Sequence, residues 1–364
     1  FRDDPAHFVR EVFQDQAPVS DTPVILVDIG GYFAESTSGP TEISKELAQR
    51  GYRLAGIVED TQNGHKRYEL AFGSKSGEPE IPVYSVALSP LKKPENHLVG
   101  VAVTFSIEAI LRQSNIVLQS RRCGVIGFGP IGRSVAHSLR NRGLPVRVCE
   151  VDPIRLAQAA AQGFHVHDYD DDFISFTHDL NLIVSATGAG AHSNGLDSIG
   201  GLRSLDELVK PSRLNVSRRL ALNADTIRFL EQDAFIASVT SADDELAIDE
   251  ILGEYDEIPV SYNEDIVRLV EKTNPASFTA HRTPHSLFLL LRGNAVNFKH
   301  QGVVGPAIQL LQGEIISCMQ AILNESPRLA ESDNVAVREL DNDLRRDVAN
   351  IWLDQYLVEN MMRG

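Results

Sequence analysis

Residues Cys123–Glu150, CGVIGFGPIGRSVAHSLRNRGLPVRVCE, decide the fold. The apolar stretch Cys123–Ile126 runs into the pattern G-x-G-x-x-G at 127–132, which opens the helical pattern of Ile131–Arg140. A second apolar stretch, Pro145–Glu150, ends on an acid 23 residues after the first glycine of the pattern. A strand, a glycine turn, a helix and an acid-ended strand in this order are typical of a dinucleotide-binding α/β unit.

Each glycine of this pattern has a physical role toward a bound dinucleotide. Gly127 permits the tight turn, Gly129 lets a pyrophosphate approach the backbone, and Gly132 allows close packing of helix against strand. Pro130 suits the first helical turn because it has no N–H to leave unpaired, and Ile131 follows it. We expect the pyrophosphate at this helix N-terminus, where free N–H groups and the helix dipole favour anions.

Two further places point to the same cofactor. A carboxylate at Glu150 is expected to accept hydrogen bonds from the adenosine ribose hydroxyls and to repel a 2′-phosphate, which favours NAD over NADP. Thr187 and Gly188 end the later strand Leu182–Ser185, and strand carboxyl ends line the ligand crevice in such folds. These two residues are therefore either cofactor contacts or part of a simple turn.

Outside this stretch, short apolar runs alternate with helical patterns, which predicts a parallel α/β sheet. The other predicted strands are Pro23–Asp28, Tyr52–Val58, Ile81–Val86, Phe235–Val239 and Ser286–Leu291. The other predicted helices are Glu42–Arg50, Phe105–Leu118, Ile154–Gln162, Ser204–Val209, Ala224–Gln232 and the region from Pro306 onward. We expect polar loops at Asp60–Lys66 and Asp168–Asp172.

Composition excludes several classes of partner. The 364 residues are 43% hydrophobic and carry a formal net charge of −16, which repels phosphate backbones and anionic lipids. We therefore expect no nucleic-acid partner and no membrane partner, and no apolar stretch is long enough to span a bilayer. Three cysteines without a C-x-x-C favour a reducing, cytoplasmic compartment without structural zinc. The chain opens on Phe1 with no signal-peptide pattern, and we expect the natural protein to start earlier.

No metal site is expected. His165 and His167 alternate on a short strand and could both reach one ion, but no third ligand is evident in the sequence.

From about Pro23 to Ile322 the chain resembles S-adenosylhomocysteine hydrolase. The most specific stretches are GVIGFGPIGRS at 124–134 and CEVDPIRLAQAAAQGF at 149–164, with weaker matches at 28–31 and 58–61. The resemblance implies a Rossmann-type NAD domain, residues 101–304, inserted into a split α/β substrate domain made of residues 1–100 and 305–364. It also implies a homo-oligomer and a small-molecule nucleoside substrate.

The resemblance assigns roles position by position. Lys92 matches the lysine that helps to remove the ribose 3′-hydroxyl proton, and burial can lower the pKa of such a lysine. Asp60 matches a glutamate that contacts the ribose hydroxyls, and Asp28 is either a substrate contact or a turn residue. Further cofactor contacts are expected at Thr61, Gln62, Asn63, Val239, Thr240 and Asn297.

Several acid–base positions of the family are substituted. Ile29 and Asn96 replace aspartates, and Ser241 and Val304 stand where the family has histidines. His97 and His300 are the candidates to stand in, although each also fits an ordinary loop histidine.

Three functions follow from this pattern. The first is a divergent hydrolase-type enzyme that uses bound NAD to oxidise the 3′-hydroxyl of an adenosine-type nucleoside transiently, followed by elimination and hydration or hydrolysis at the 5′ position. The alternatives are a catalytically silent NAD-binding homologue that regulates a partner, and a plain NAD-dependent dehydrogenase.

Overall fold

The computed structural model describes residues 5–13, 21–34, 39–72, 81–188, 220–240, 245–272, 283–300, 302, 305–324 and 337–363. The chain forms two compact units. The inserted unit is Asn96–Val304, and the split unit combines Phe1–Glu95 with Gly305–Gly364. Both are built on sheets of parallel strands with helices, so the predicted α/β class is confirmed.

The inserted unit contains an eight-stranded sheet in the order β6-β5-β4-β7-β8-β11-β10-β9. Six neighbouring strands are parallel, and β10 runs antiparallel to both β11 and β9. Its strands are β4 (Cys123–Ile126), β5 (Val146–Glu150), β6 (His165–Asp168), β7 (Leu182–Ser185), β8 (Ala234–Ser238), β9 (Tyr255–Pro259), β10 (Ile266–Glu271) and β11 (Ser286–Leu290). Its helices are α4 (Lys93–Gln113), which begins just before the unit, α5 (Pro130–Asn141), α6 (Pro153–Ala161), α7 (Tyr169–Thr177), α8 (Ala224–Ile227) and α9 (Ile248–Glu254).

The centre of this sheet is fully buried because both of its faces are covered by apolar side chains. All residues of β4 and β7 are buried, as expected for parallel strands that lie between two helical layers. Val135 and Leu139 place the apolar face of α5 in one core, while Phe173 and Phe176 of α7 belong to a second core. Burial on both faces fixes the positions of the strands. It therefore also fixes the glycine turn, which follows the end of β4.

The split unit has a three-stranded parallel sheet in the order β1-β2-β3. Its elements are β1 (Thr22–Asp28), β2 (Tyr52–Glu59), β3 (Val83–Ser85), α1 (Pro5–Val12), α2 (Gly39–Ala48), α3 (Gln62–Phe72), α10 (Ile308–Leu323) and α11 (Asn342–Arg363). Gly56 lets α10 approach β2 closely, since a Cβ at this position would lie 2.9 Å from Ile322 Cδ1. The carboxyl ends of β1, β2 and β3 lead into the segments that carry the polar residues of this unit.

Four expectations about local structure need correction. The polar segment Asp60–Lys66 is not a loop throughout, because α3 begins within it at Gln62; His65 is buried and the other polar residues of the segment are half-buried. The acidic run Asp168–Asp172 starts α7, because the Asp168 carboxylate caps the N–H groups of Asp170 and Asp171. The helix expected at Phe105–Leu118 is Lys93–Gln113, and that at Ala224–Gln232 ends at Ile227.

The helix expected at Ser204–Val209 lies outside the described residues. Strands β9 and β10 were not predicted. No helix among the described ranges is both long and apolar enough to cross a membrane.

Candidate functional site

The glycine turn at 127–132 is packed on its sheet side and open on its other side. Gly127 has φ +93°, and a Cβ there would lie 2.6 Å from the Ala186 carbonyl oxygen. A Cβ at Gly132 would lie 2.1 Å from the Gly127 carbonyl oxygen, so only glycine allows α5 to sit this close to the strand end. The nearest atom to a Cβ at Gly129 is Arg155 Nη1, at 3.8 Å. The turn therefore has room for a ligand in front of Gly129.

The same open side coincides with the N-terminus of α5. The helix begins at Pro130 with Gly129 as its N-cap, which supplies no side-chain oxygen to the first-turn N–H groups. Ile131 is the second residue of this helix and belongs to its first turn. Such a helix end offers N–H donors and a positive dipole end to an anion, which fits the pyrophosphate of NAD.

Glu150 lies at the carboxyl end of β5, and its carboxylate already accepts three hydrogen bonds from backbone N–H groups. Its Oε2 accepts the Phe128 N–H at 2.7 Å, and its Oε1 accepts the N–H groups of Val151 and Asp152 at 2.8 and 3.0 Å. A carboxylate has about four acceptor positions, so one position on Oε2 remains for a ribose hydroxyl. Glu150 therefore holds the glycine turn in shape and still fits the adenosine half of NAD.

Thr187, Gly188 and Thr240 lie at the carboxyl ends of β7 and β8, and Val239 is buried beside them. The structure brings the first three together through Glu245, a fully buried carboxylate that accepts hydrogen bonds from all of them. Sequence reasoning missed Glu245 as a site residue because no spacing rule links it to positions nearly 60 residues earlier.

Asn297 supports a bound ligand in this unit. Its side chain is buried, 4% exposed, and its Oδ1 has no hydrogen-bond partner among the described residues. Ala295, two residues before it, bridges to Ser238 at the end of β8. An unsatisfied buried acceptor costs about 1–3 kcal/mol, and a cofactor donor would remove that cost. The open glycine turn and this acceptor together fit NAD.

The two candidate histidines of the inserted unit, His97 and His300, have different described contacts. His97 is exposed on α4, and its Nδ1 lies 3.3 Å from Ser134 Oγ. His300 packs its ring edge against Phe105 at 5.9 Å between ring centroids, and its Nδ1 has no partner among the described residues. No described hydrogen bond or ring contact joins the two. The positions of Ser241 and Val304 lie outside the described residues.

In the split unit, Lys92 lies between two carboxylates. It ends a 3₁₀ turn, Pro90–Lys92, after β3, while Asp60 follows the neighbouring strand β2. Lys92 Nζ lies 2.6 Å from Asp60 Oδ1 and 2.9 Å from Glu95 Oε2, and its side chain is only 8% exposed. We call these three residues the lysine cluster.

The lysine cluster overturns one expectation. Burial would lower the pKa of Lys92, but attraction to Asp60 and Glu95 is stronger in sum, and the pKa is raised above its ordinary value of 10.5. Lys92 is therefore a cation at neutral pH. Glu95 was not identified from the sequence as a partner of Lys92, although the three-residue spacing between the two is a recognisable helical signal.

Asp28 is buried and is the last residue of β1. Its Oδ1 accepts the Tyr32 N–H, and its Oδ2 accepts the Phe33 N–H and the Tyr68 hydroxyl at 2.8 Å. Nearby, Glu59 is also fully buried. Its carboxylate accepts hydrogen bonds from Gly30, Gly31 and Thr61.

Burial, followed by repulsion from Asp28, raises the pKa of Glu59 to about 8. Through these hydrogen bonds, Asp28 and Glu59 fix the backbone that follows β1, and Glu59 also fixes the start of the segment that follows β2. No sequence pattern marks Glu59 as a buried residue.

In the split unit, Thr61 lies directly before α3, Gln62 and Asn63 begin that helix, and all three residues are half-buried. Thr61 donates its N–H and its hydroxyl to Glu59 Oε1 at 2.6 and 2.8 Å. Their role as cofactor contacts stays a prediction.

His165 and His167 do not form a recognised metal centre. Their Nδ1 and Nε2 atoms lie 2.9 Å apart, and His167 Nδ1 lies 2.6 Å from Asp172 Oδ2. Within the described ranges no group of three or more His, Cys, Asp or Glu side chains could hold a metal ion.

Solved structures with similar folds have low identity to this chain. The dipicolinate synthase A chain from Bacillus subtilis is 12% identical, with 78% of this chain and 70% of that chain covered and a TM-score of 0.40. A 2-hydroxyacid dehydrogenase from Ketogulonicigenium vulgare Y25 is 14% identical, with 85% and 97% covered and a TM-score of 0.38. Similarity at this level carries no argument about activity.

The family comparison is more specific. The family model for the NAD binding domain of S-adenosyl-L-homocysteine hydrolase matches residues 101–193. This range contains the glycine turn, Glu150 and Thr187. The chain therefore carries a Rossmann-type NAD-binding domain similar to the one in that family, and NAD is its cofactor.

Proposed function

We propose that this protein is a divergent enzyme of the S-adenosylhomocysteine hydrolase type that acts on an adenosine-type nucleoside by transient oxidation of the ribose 3′-hydroxyl. The observation that carries the proposal is the lysine cluster: a buried cation held between Asp60 and Glu95 in a chain that also has an NAD-binding domain. The split unit then serves as the substrate domain and the inserted unit as the cofactor domain.

The residues of the lysine cluster can perform the acid–base part of this step. NAD, when bound, supplies the hydride acceptor for the oxidation. Lys92 is cationic, so it stabilises an alkoxide at the 3′-oxygen rather than acting as a free base. Asp60, which contacts Lys92 Nζ, is the group in the cluster that can accept the hydroxyl proton. Glu95 keeps the lysine charged and in place.

After the oxidation, the ketone acidifies the neighbouring C4′ proton, and loss of that proton expels the 5′ substituent. The family positions substituted by Ile29, Asn96, Ser241 and Val304 reduce the acid–base groups for the later water addition. General acid–base groups typically contribute about 10²–10⁴-fold each. Water would then add at C5′, and return of the hydride to the ketone would restore the 3′-hydroxyl and the oxidised cofactor. The net reaction is elimination with hydration, or slow hydrolysis, at the 5′ position.

One observation favours a second function. Ile29, Asn96, Ser241 and Val304 stand where the family has acid–base residues, and this set of substitutions supports a catalytically silent homologue that regulates a partner. Homo-oligomeric assembly and a cytoplasmic location stay predictions.

The experiment compares the wild-type protein with Lys92→Ala and with the matched control Lys93→Ala, whose lysine is exposed. Mass spectrometry of the purified proteins first establishes how much NAD each one holds. Each is then incubated with adenosylhomocysteine or adenosine while absorbance at 340 nm and products are followed. We expect protein-bound absorbance and product with wild type and Lys93→Ala, and neither with Lys92→Ala.

Each other outcome identifies a rival. Stoichiometric release of free NADH identifies a plain dehydrogenase. Full NAD occupancy with no response to any nucleoside identifies a silent homologue.

A further inference from the structure

Glu245 is a buried carboxylate at the carboxyl ends of two neighbouring strands, β7 and β8. Its exposed fraction is 0%. Oε2 accepts hydrogen bonds from Ser185 Oγ at 2.6 Å, from Thr187 N at 3.0 Å and from Thr187 Oγ1 at 2.9 Å. Oε1 accepts from Gly188 N and from Thr240 Oγ1, both at 3.0 Å. Five donors therefore converge on one acceptor-only group.

These contacts fix the direction of two hydroxyl groups. Thr187 and Thr240 each donate their hydroxyl hydrogen to Glu245. A hydroxyl has one hydrogen, so any further partner of either oxygen has to be a donor. The carboxylate thus makes both threonines into oriented acceptors at the end of the sheet.

The strand order of the sheet indicates which half of the cofactor lies at the carboxyl ends of β7 and β8. The chain runs from β4 to β5 and β6 on one side, and to β7 and β8 on the other, so the order reverses at β4. A dinucleotide binds across such a switch point, outside the strand carboxyl ends. Glu150 ends β5 and takes the adenosine half, which leaves the nicotinamide half for the side of β7 and β8.

The chemistry of the nicotinamide half matches these groups. Its carboxamide NH₂ is a hydrogen-bond donor, and oriented threonine oxygens can accept from it. Its ring carries a positive charge in NAD⁺ that is lost in NADH. A buried anion on this side interacts more favourably with the oxidised ring, and the low local dielectric strengthens the effect.

We propose that Glu245 is a positioning residue of the cofactor site, which orients Thr187 and Thr240 as acceptors and makes the site prefer NAD⁺ over NADH. The proposal rests on the NAD-binding domain and not on the nucleoside reaction, so either can fail without the other. A preference for the oxidised form suits an enzyme that keeps its cofactor and has to start each turnover with NAD⁺.

The test measures dissociation constants for NAD⁺ and NADH on the full-length protein, with NADH fluorescence as the direct signal and NAD⁺ as competitor. Glu245→Gln is compared with wild type and with Glu250→Gln, an exposed glutamate of the same unit. We expect Glu245→Gln to raise the ratio Kd(NAD⁺)/Kd(NADH) about tenfold, and Glu250→Gln to leave it unchanged. An unchanged ratio in folded Glu245→Gln, with both affinities falling together, overturns the proposal.

A glutamine cannot accept from all five donors, so two further variants keep the test independent of whether Glu245→Gln folds. Thr187→Val and Thr240→Val keep the carboxylate and remove one oriented oxygen each. We expect both to weaken NAD⁺ and NADH about equally, with Thr187→Ser restoring affinity. Wild-type affinity for both cofactor forms in these two valine variants would also overturn the proposal.

Discussion

The buried carboxylate of Glu59 predicts that the split unit loses stability as the pH rises from acid to mildly alkaline. Burial, then repulsion from Asp28, raises the pKa of Glu59 from 4.5 to about 8, against opposing hydrogen bonds from Thr61 and Gly30. Between these two values the folded state binds a proton more tightly than the unfolded state. The stabilising contribution of Glu59 is therefore complete below pH 4.5 and is lost as the pH rises through about 8.

The magnitude follows from the two pKa values. Their difference is 8 − 4.5 = 3.5 units, which corresponds to about 5 kcal/mol of unfolding free energy at about 1.4 kcal/mol per unit. Glu59→Gln does not titrate, so it removes this pH dependence. The side-chain NH₂ of the glutamine also faces a backbone N–H that donates to Glu59 in the wild type. The lost hydrogen bond lowers the free energy of unfolding by about 1–3 kcal/mol at every pH. The change with pH, not the constant offset, is the quantity that tests the reasoning.

Urea unfolding at a series of pH values between 5 and about 8 measures this quantity. Trp352, the single tryptophan of the chain, belongs to the split unit and donates its indole N–H to the Pro306 carbonyl, so its fluorescence reports on that unit. Glu42→Gln is the control, because Glu42 is exposed in the same unit. The reasoning is refuted if the difference in unfolding free energy between wild type and Glu59→Gln stays constant over this range.

Three further predictions concern packing and charge. Arg345→Met leaves the fully buried Glu314 without the guanidinium that lies 2.8 Å away, and we expect urea unfolding to show a loss of about 3–5 kcal/mol. Gly132→Ala should abolish NAD retention, measured by mass spectrometry, because its Cβ would lie 2.1 Å from a carbonyl oxygen, whereas Gly253→Ala meets no atom within 4 Å and should retain NAD. Glu95→Gln removes one of the charges that hold Lys92 protonated and should lower the pKa of that lysine, measured by NMR of labelled lysine side chains.

The cofactor turn was predictable because its determinants are local. Strand Leu182–Ser185 was placed to the residue, and α5 to within one residue at each end, since glycines and an apolar pattern mark the boundaries. The roles of Gly127 and Gly132 follow from contacts within a few residues or to the adjacent strand. Local rules are sufficient where the chain folds on itself in this way.

Elements and contacts that depend on tertiary burial were not predictable in the same way. Helix α3 is mostly polar and shows no clear apolar face, yet Tyr68 is fully buried through its hydrogen bond to Asp28, 40 residues away. Glu245 gathers donors that lie between 5 and 60 residues away. A single sequence does not reveal which polar groups satisfy one another across such distances.

The most direct test of the proposed function follows the C4′ proton of adenosine by NMR in D₂O. A 3′-ketone acidifies this proton, so transient oxidation allows it to exchange with solvent. The protein is first shown by mass spectrometry to hold NAD. We predict that the C4′ proton signal disappears with wild type and with Lys93→Ala, and persists with Lys92→Ala. Persistence of the signal with NAD-loaded wild-type protein would contradict the proposed function.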